Sequence, residues 1–513
     1  MNQSEGTGGH GQPQHSRTDL TPTEAPESPE ATLDPTDWES FRALAHRMVD
    51  DMIDRTRSLP TQPVWQSPPD AIRRAILEEP FPEQGQPLEQ VYADYLAQVE
   101  PYTNGNRHPR AWGWVRGNGT PLAAMAAMLA AAINPHLAGG DQSPTYVEER
   151  CLGWLAQRMG MPATTTGILT SGGTMANLLG LAVARQARAG FDARSAGLAG
   201  RPQMIVYASA EAHMWARKAM DLLGLGSANL RLIAVDGDYR MDLRALRSQI
   251  AADRAAWLRP IAVIGSAGTV NTGAVDDLTQ IAAICQQEKL WFHVDGAFGA
   301  LLKLSDRYAG LVSGLEQADS LAFDLHKWMY QPFEIGCLLV ARGEEHQAAF
   351  ASTASYLEGA QRGLLAKGLV FSDRGIELTR GFKALKLWMS LKAHGRRGFA
   401  TQMEQNMAQA EYLVERIRSE KELELLAPRS MNVVCYGYRT SCAVSEATAN
   451  ACNRELVLRL QESGKFVVSG TMLGGRYAVR VAITNHRSRR ADFDALLEAS
   501  LRTGREIMQT TGK

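Results

Sequence analysis

The sequence predicts an α/β fold built on a parallel sheet and joined to a smaller α+β unit. Three observations carry that prediction. The chain is 513 residues long, and a single core rarely grows past about 250–300 residues, so at least two packed units are expected. Its middle alternates short, continuously apolar runs with amphipathic helices, the pattern of parallel strands covered on both faces. After residue 395 the pattern changes to helices flanking strands without crossover helices, as in an antiparallel α+β unit.

The elements follow in order. Residues 1–36 are rich in Gln, Gly, Ser, Thr, Pro and Glu, and Trp38 is the first large aromatic. Such a segment buries too little apolar surface to offset its ordering entropy, so a disordered tail is expected. Phe41, Leu44, Met48, Met52 and Ile53 then recur at helical spacing and predict an amphipathic helix over 38–56. Pro60, Pro63, Pro68 and Pro69 break it into an extended linker. A second helix is expected over Leu88–Val99. The run Pro121–Asn134 is shorter than the roughly 20 residues of a membrane span, and its alanines and methionines suit a helix packed on all sides. Strands are expected at 204–209, 230–235, 261–268 and 290–297, with a helix at 277–288. A long helix around 379–394 leads to a helix at 401–420, strands at 432–438, 466–470 and 477–483, and a closing helix at 491–508.

Charge and cysteine usage narrow the class. Lys and Arg number 54 against 55 Asp and Glu, so nothing electrostatic points to nucleic acid or to an anionic membrane. Cys151, Cys285, Cys337, Cys435, Cys442 and Cys452 are scattered, with no CxxC pair and no histidines at ligand spacing. They read as reduced, mostly buried thiols, with neither a disulfide frame nor a metal site. The N-terminus lacks the apolar run of a secretory signal, and a cytoplasmic protein is expected.

Ligands of an open parallel sheet sit beyond the carboxyl ends of its strands, and four groups of residues stand at such positions. Thr170-Ser171-Gly172-Gly173-Thr174 opens a helix. Its backbone N–H groups and the helix dipole suit a phosphate, though a flexible helix cap reads the same way. His293-Val294-Asp295-Gly296-Ala297 closes an apolar strand, where a carboxylate either caps a helix or faces a cation in the site. Phe323-Asp324-Leu325-His326-Lys327-Trp328 sets a lysine among apolar neighbours, a setting that favours a neutral, nucleophilic amine; the alternative is a surface lysine packed on Trp328. His213 follows the strand at 204–209, where an imidazole can lie against a planar group or merely bond locally.

A phosphate cradle, a stacking imidazole, a strand-end carboxylate and a downstream lysine are together the parts that hold pyridoxal 5′-phosphate (PLP). Here the sequence resembles the group II PLP-dependent amino acid decarboxylases, the aromatic-L-amino-acid decarboxylase-like family. The resemblance runs from about Trp38 to about Glu498. It rests on SGGTMAN (171–177), AEAHMWARKA (210–219), GTVNTGAVDDL (268–278), HVDGAFGA (293–300), DLHKW (324–328) and TRGFKALKLW (379–388), with 32 positions from Asp295 to Lys327.

The resemblance implies a PLP-dependent fold of type I, with a seven-stranded, mostly parallel sheet. It divides the chain into a tail (1–36), a helical dimerisation arm (37–120), a large PLP-binding domain (121–395) and a small α+β domain (396–513). It implies a homodimer. It further implies that Lys327 carries the Schiff base to PLP, that Asp295 pairs with the pyridinium nitrogen, and that His213 stacks on the ring. Gly173 and Thr174 would bind phosphate, Thr269 would lie near the ring, Ala297 would pack on its other face, and His326 would sit beside the phosphate. Tyr356, 29 positions after Lys327, matches the family's loop tyrosine and would deliver a proton to the substrate carbon. Arg380 matches a family arginine, for which a structural role is favoured.

The expected reaction is decarboxylation of an L-amino acid to its amine and CO₂. Trp112 and Trp114, in a segment resembling the family's pocket-lining stretch, and the lack of an obvious added arginine favour an aromatic substrate. Glutamate or 2,4-diaminobutyrate decarboxylation and aldehyde synthesis are the alternatives on the same scaffold, and an assembly protein without catalysis is the non-enzymatic one. Met175, Met214, Val270 and Asp324 depart from the animal aromatic decarboxylases; Asp324 stands where those enzymes have Asn.

Overall fold

The computed structural model describes residues 30–351, 362–364, 369–440 and 444–511. Residues up to Asp51 form one compact unit and those from Met52 onward another. In the first, the helix Trp38–Ser58 begins at Asp37, whose Oδ1 accepts the Glu39 and Ser40 N–H groups and whose Oδ2 accepts the Ser40 hydroxyl. These bonds hold its carboxyl below the usual carboxylate range.

The second unit is built on a seven-stranded sheet. Its strands are β1 (Thr166–Thr170), β2 (Met204–Ser209), β3 (Leu230–Ile233), β4 (Arg259–Ser266), β5 (Trp291–Asp295), β6 (Ser320–Asp324) and β7 (Gly336–Val340), in the order β1-β7-β6-β5-β4-β2-β3. β7 runs antiparallel to both of its neighbours, and β6, β5, β4, β2 and β3 are parallel. The fold is therefore the expected mostly parallel α/β arrangement. The apolar runs sort by alternation. Ile205, Tyr207, Val263, Phe292, Val294, Leu321 and Phe323 face one core, while Met204, Val206, Ala208, Ala262, Ile264, Trp291 and Ala322 face the other. Both faces being buried is why these strands read as unbroken apolar segments.

A second, antiparallel sheet contains β8 (Leu423–Leu425), β9 (Val433–Tyr438), β10 (Ser469–Leu473) and β11 (Arg476–Ala482), in the order β10-β11-β9-β8. Gly474 and Gly475, both at positive φ, make the two-residue turn between β10 and β11.

Several expectations need correction. The helices expected near 379–394 and at 401–420 are one element, Ala384–Ser419, broken only at Gly395, where φ is 61° and ψ 172°. Glycine alone takes that conformation without steric cost. β10 begins three residues later than the predicted strand, because Val467 instead pairs with Ala111. Residues 110–112, placed on sequence in the N-terminal arm, thus belong with the second sheet. The helix Pro121–Ile133 is capped by the Thr120 hydroxyl, which accepts the Ala123 N–H. It buries Ala123 and Ala126 but leaves Met128, Leu129 and Ile133 exposed, so within this chain it is not packed on all sides. No helix among the described residues is long and apolar enough to cross a membrane. The five described cysteines are free and buried.

Candidate active site

β1, β2, β4, β5 and β6 end at one edge of the large sheet, and the segments that follow them enclose a cavity of about 430 Å³. After β1, Gly172 is extended and Gly173 opens a 16-residue helix whose first turn has no side-chain cap. Its free N–H groups and its dipole leave positive potential at the cavity wall. A Cβ on Gly173 would stand 2.6 Å from Asp324 Oδ2, so only glycine fits there. Thr174 adds an exposed hydroxyl to the same wall.

Asp295 ends β5. Its Oδ2 accepts the Trp215 indole N–H at 2.6 Å and its Oδ1 accepts the Ala297 N–H at 3.1 Å. These two bonds orient a carboxylate that is 8% exposed and lines the cavity. Lys327 lies just beyond β6, half-buried, with Nζ 2.8 Å from Asp324 Oδ2. His213 stands at the cavity mouth, where Nδ1 accepts the Trp215 N–H at 3.3 Å, leaving Nε2 to carry the proton of the neutral ring. Withdrawal from water lowers its pKa, against the opposing pull of Asp295. His326 is buried, tilts against Phe333 and accepts the Ile335 N–H on Nδ1; burial lowers its pKa too. The Thr269 hydroxyl accepts the Ala274 N–H at 3.1 Å, so it serves its own turn while lining the site. Ala297 lines the cavity, and its carbonyl accepts the Asp324 N–H.

The two tryptophans part company. Trp114 lines the cavity, but Trp112 does not: it is 1% exposed, stacks on Phe493 and donates its indole N–H to Ser488. Residues two apart on an extended segment would share a face. Trp114 instead sits in the left-handed region, with φ of 58°, and that breaks the alternation. Tyr356 lies outside the described residues. Arg380 is fully buried, bonded to Glu148 and to the carbonyls of Leu137 and Leu169.

Sequence reasoning missed three features. The Asp324–Lys327 pair was readable as an i,i+3 spacing across a strand-to-helix turn. The bond from Trp215 to Asp295 spans 80 positions and left no local signal. Arg116, which lines the cavity, was hidden because nothing in its neighbourhood marks its direction.

An amine, an oriented carboxylate, an imidazole and an uncapped helix N-terminus facing one cavity define a site for a phosphorylated pyridine aldehyde, that is, a PLP enzyme. The comparisons with known proteins agree. Residues 69–439 match the pyridoxal-dependent decarboxylase conserved domain. The chain is 31% identical over 452 residues to an aromatic-L-amino-acid decarboxylase of Bacillus atrophaeus, covering 88% of this chain and 92% of that one. It is 31% identical over 479 residues to an L-2,4-diaminobutyrate decarboxylase of Rhizobium meliloti, covering 92% and 94%. The structure of Oryza sativa TDC with PLP and tryptamine superposes with a TM-score of 0.86 at 25% identity, over 93% of this chain and 100% of that chain.

The protein belongs to the pyridoxal-dependent decarboxylase family. It is a PLP-dependent carboxy-lyase of fold type I, acting on an amino acid. The residues present fit the cofactor: the Lys327 amine, the Asp295 carboxylate and the uncapped helix terminus at Gly173 line one cavity, and each suits one group of PLP.

Proposed function

We propose that this enzyme releases CO₂ from an L-amino acid and yields the corresponding amine, using Lys327, Asp295 and His213 as its central residues. The observation that carries the proposal is the convergence of these three side chains and the 172–174 helix terminus on a single cavity. PLP, when bound, supplies the electron sink into which the electrons of the broken Cα–carboxylate bond delocalise.

The chain's own groups do the rest. Lys327 would hold the cofactor through its amine. Asp295, kept rigid by Trp215 and the Ala297 N–H, would pair with the ring nitrogen and favour its protonated form. His213 presents its ring face and a protonated Nε2 at the cavity mouth. Gly173 and Thr174 receive the phosphate, with His326 beside it, and Thr269 and Ala297 bound the ring. Tyr356 delivers the proton to Cα.

A homodimer and a cytoplasmic location complete the proposal. Exposed Met128, Leu129 and Ile133 on one helix, and the exposed Leu88, Val91 and Val99, offer apolar surface that a second copy would cover. The free, buried thiols suit a reducing compartment.

The test is direct. Purified enzyme loaded with PLP is incubated with each of the twenty amino acids, and CO₂, amine and aldehyde are measured. Amine and CO₂ in equal amounts from at least one substrate, lost in Lys327→Ala, is the expected result. Aldehyde in place of amine, or no CO₂ from any substrate, overturns it. Tyr356→Phe should suppress amine release.

A further inference from the structure

The cavity contains a guanidinium with no carboxylate of its own. Arg116 is half-buried and lines the same cavity as Lys327 and Asp295. Its Cζ lies 4.4 Å from the centroid of the Trp114 ring. Three carboxylates line the cavity, and each is engaged elsewhere. Glu211 accepts the Asn271 amide at 2.9 Å, Asp295 holds Trp215 and the Ala297 N–H, and Asp324 holds Lys327. Among the described residues no acidic group lies within ion-pairing distance of Arg116.

The placement of this arginine is not accidental slack. Gly117, its neighbour, packs on the lysine turn so closely that a Cβ would stand 2.0 Å from the Lys327 carbonyl oxygen, and its N–H donates to the His326 carbonyl. The Arg116 carbonyl accepts the Thr484 hydroxyl at 2.7 Å. On the other side, Trp114 is held in the left-handed region, with its N–H donated to Ser469. A non-glycine residue persists in that region only where surrounding contacts enforce it. The backbone on both sides of Arg116 is therefore fixed, and the cation is presented to the cavity already stacked and partly desolvated, which also lowers its pKa.

We propose that Arg116 binds an acidic group at the far end of the substrate side chain, so that the preferred substrate is an amino acid with a second carboxylate or a similar anionic terminus. This rests on the decarboxylase reading above and deepens it. Two carboxylates of such a substrate could meet Arg116, and the chemistry selects between them. The α-carboxylate loses its charge as CO₂ forms, so a cation bound to it stabilises the ground state more than the transition state. A side-chain carboxylate keeps its charge throughout and suffers no such penalty. The guanidinium also lies over the Trp114 ring and so competes with an aromatic side chain for that ring. Both supports for an aromatic substrate thus weaken together: of the two tryptophans, Trp112 is absent from the cavity and Trp114 is stacked with Arg116, and that arginine is itself the cation whose apparent absence was the other support.

Two ligands without an amine separate the possibilities, because neither can react with the cofactor. Glutarate has two carboxylates and 3-phenylpropanoate has one beside a ring. Each is titrated calorimetrically into PLP-loaded wild type, Arg116→Gln and Arg116→Lys. The expected result is tighter binding of glutarate to wild type, a loss of roughly 10- to 100-fold in Arg116→Gln, and partial recovery in Arg116→Lys. Affinity for 3-phenylpropanoate should be the same in all three. Equal losses for both ligands would assign Arg116 to the α-carboxylate, and a fall in PLP content would assign it to the cofactor; either overturns the proposal, as does unchanged glutarate affinity. CO₂ release from aromatic amino acids alone, with glutarate binding indifferent to Arg116, would sink this inference and leave the decarboxylase reading standing.

Discussion

Lys327 Nζ lies 2.8 Å from Asp324 Oδ2, three residues earlier, and this pair sets the charge of the cofactor end of the site. Asp324 is 2% exposed, and its other oxygen, Oδ1, has no hydrogen-bond partner. That oxygen is 3.7 Å from His326 Nε2, and Oδ2 stands against Gly173 at the helix terminus proposed for the phosphate. A carboxylate here opposes an incoming phosphate and pairs directly with the lysine side chain.

Asp324→Asn is therefore expected to tighten PLP binding, on the order of tenfold, by removing a like charge and releasing the amine. Equilibrium dialysis of the enzyme against PLP measures this directly. Weaker binding in the variant would mean that the carboxylate contacts the phosphate through a shared proton.

Gly117→Ala should separate the lysine turn from the 114–117 segment. The added methyl meets the carbonyl oxygens of Lys327 and His326, at 2.0 and 2.4 Å, and backbone cannot step aside as a flexible side chain can. Reduced PLP content at an otherwise ordinary circular dichroism spectrum is the expected outcome. Full occupancy would show that the segment can shift without moving Lys327.

Acid should destabilise the fold through buried histidines. His293 bonds Ser320 Oγ through Nδ1 and Asn177 Oδ1 through Nε2, both at 2.7 Å, and burial depresses its pKa to about 3. His108, His346 and His486 are depressed to about 4 for the same reason. Each is neutral when folded but takes up a proton in the unfolded chain below its ordinary value of about 6.5. Their contribution is complete above pH 6.5 and is lost as pH falls toward 4, at about 1.4 kcal/mol per unit for each. Urea unfolding at pH 7.5 and 5.5 checks this, and His293→Asn should make the decline shallower.

Arg380 and Glu148, both fully buried, form the central ion pair between the helix Ser143–Met159 and the segment before Ala384. Arg380→Met leaves Glu148 buried without its cation and should cost about 3–5 kcal/mol. The double variant Arg380→Met with Glu148→Leu should recover much of that loss. Thermal unfolding of the three proteins measures both effects; a single variant as stable as wild type would remove the pair from the stability of the fold.

The large parallel sheet was readable because its strands are buried on both faces and so appear as unbroken apolar runs between helices. β1, β6, β7 and β8 were not among the expected strands: β8 has only three residues, and β1 and β6 carry polar residues at both ends. Gly173, His213, Asp295 and Lys327, the residues expected at the cofactor, stand at a strand end or within four residues of one, so local order along the chain already points them toward the same sheet edge.

By itself, then, the sequence determined the α/β class and the cofactor, since strand-end position and spacing are local properties. Only the tertiary structure decided the fates of Trp112, Trp114 and Arg116. Their directions depend on one left-handed residue and on contacts with Ser469 and Ser488, more than 350 positions away. A periodic pattern encodes which face of a regular element a side chain takes. It does not encode how an irregular segment is held by contacts hundreds of positions away.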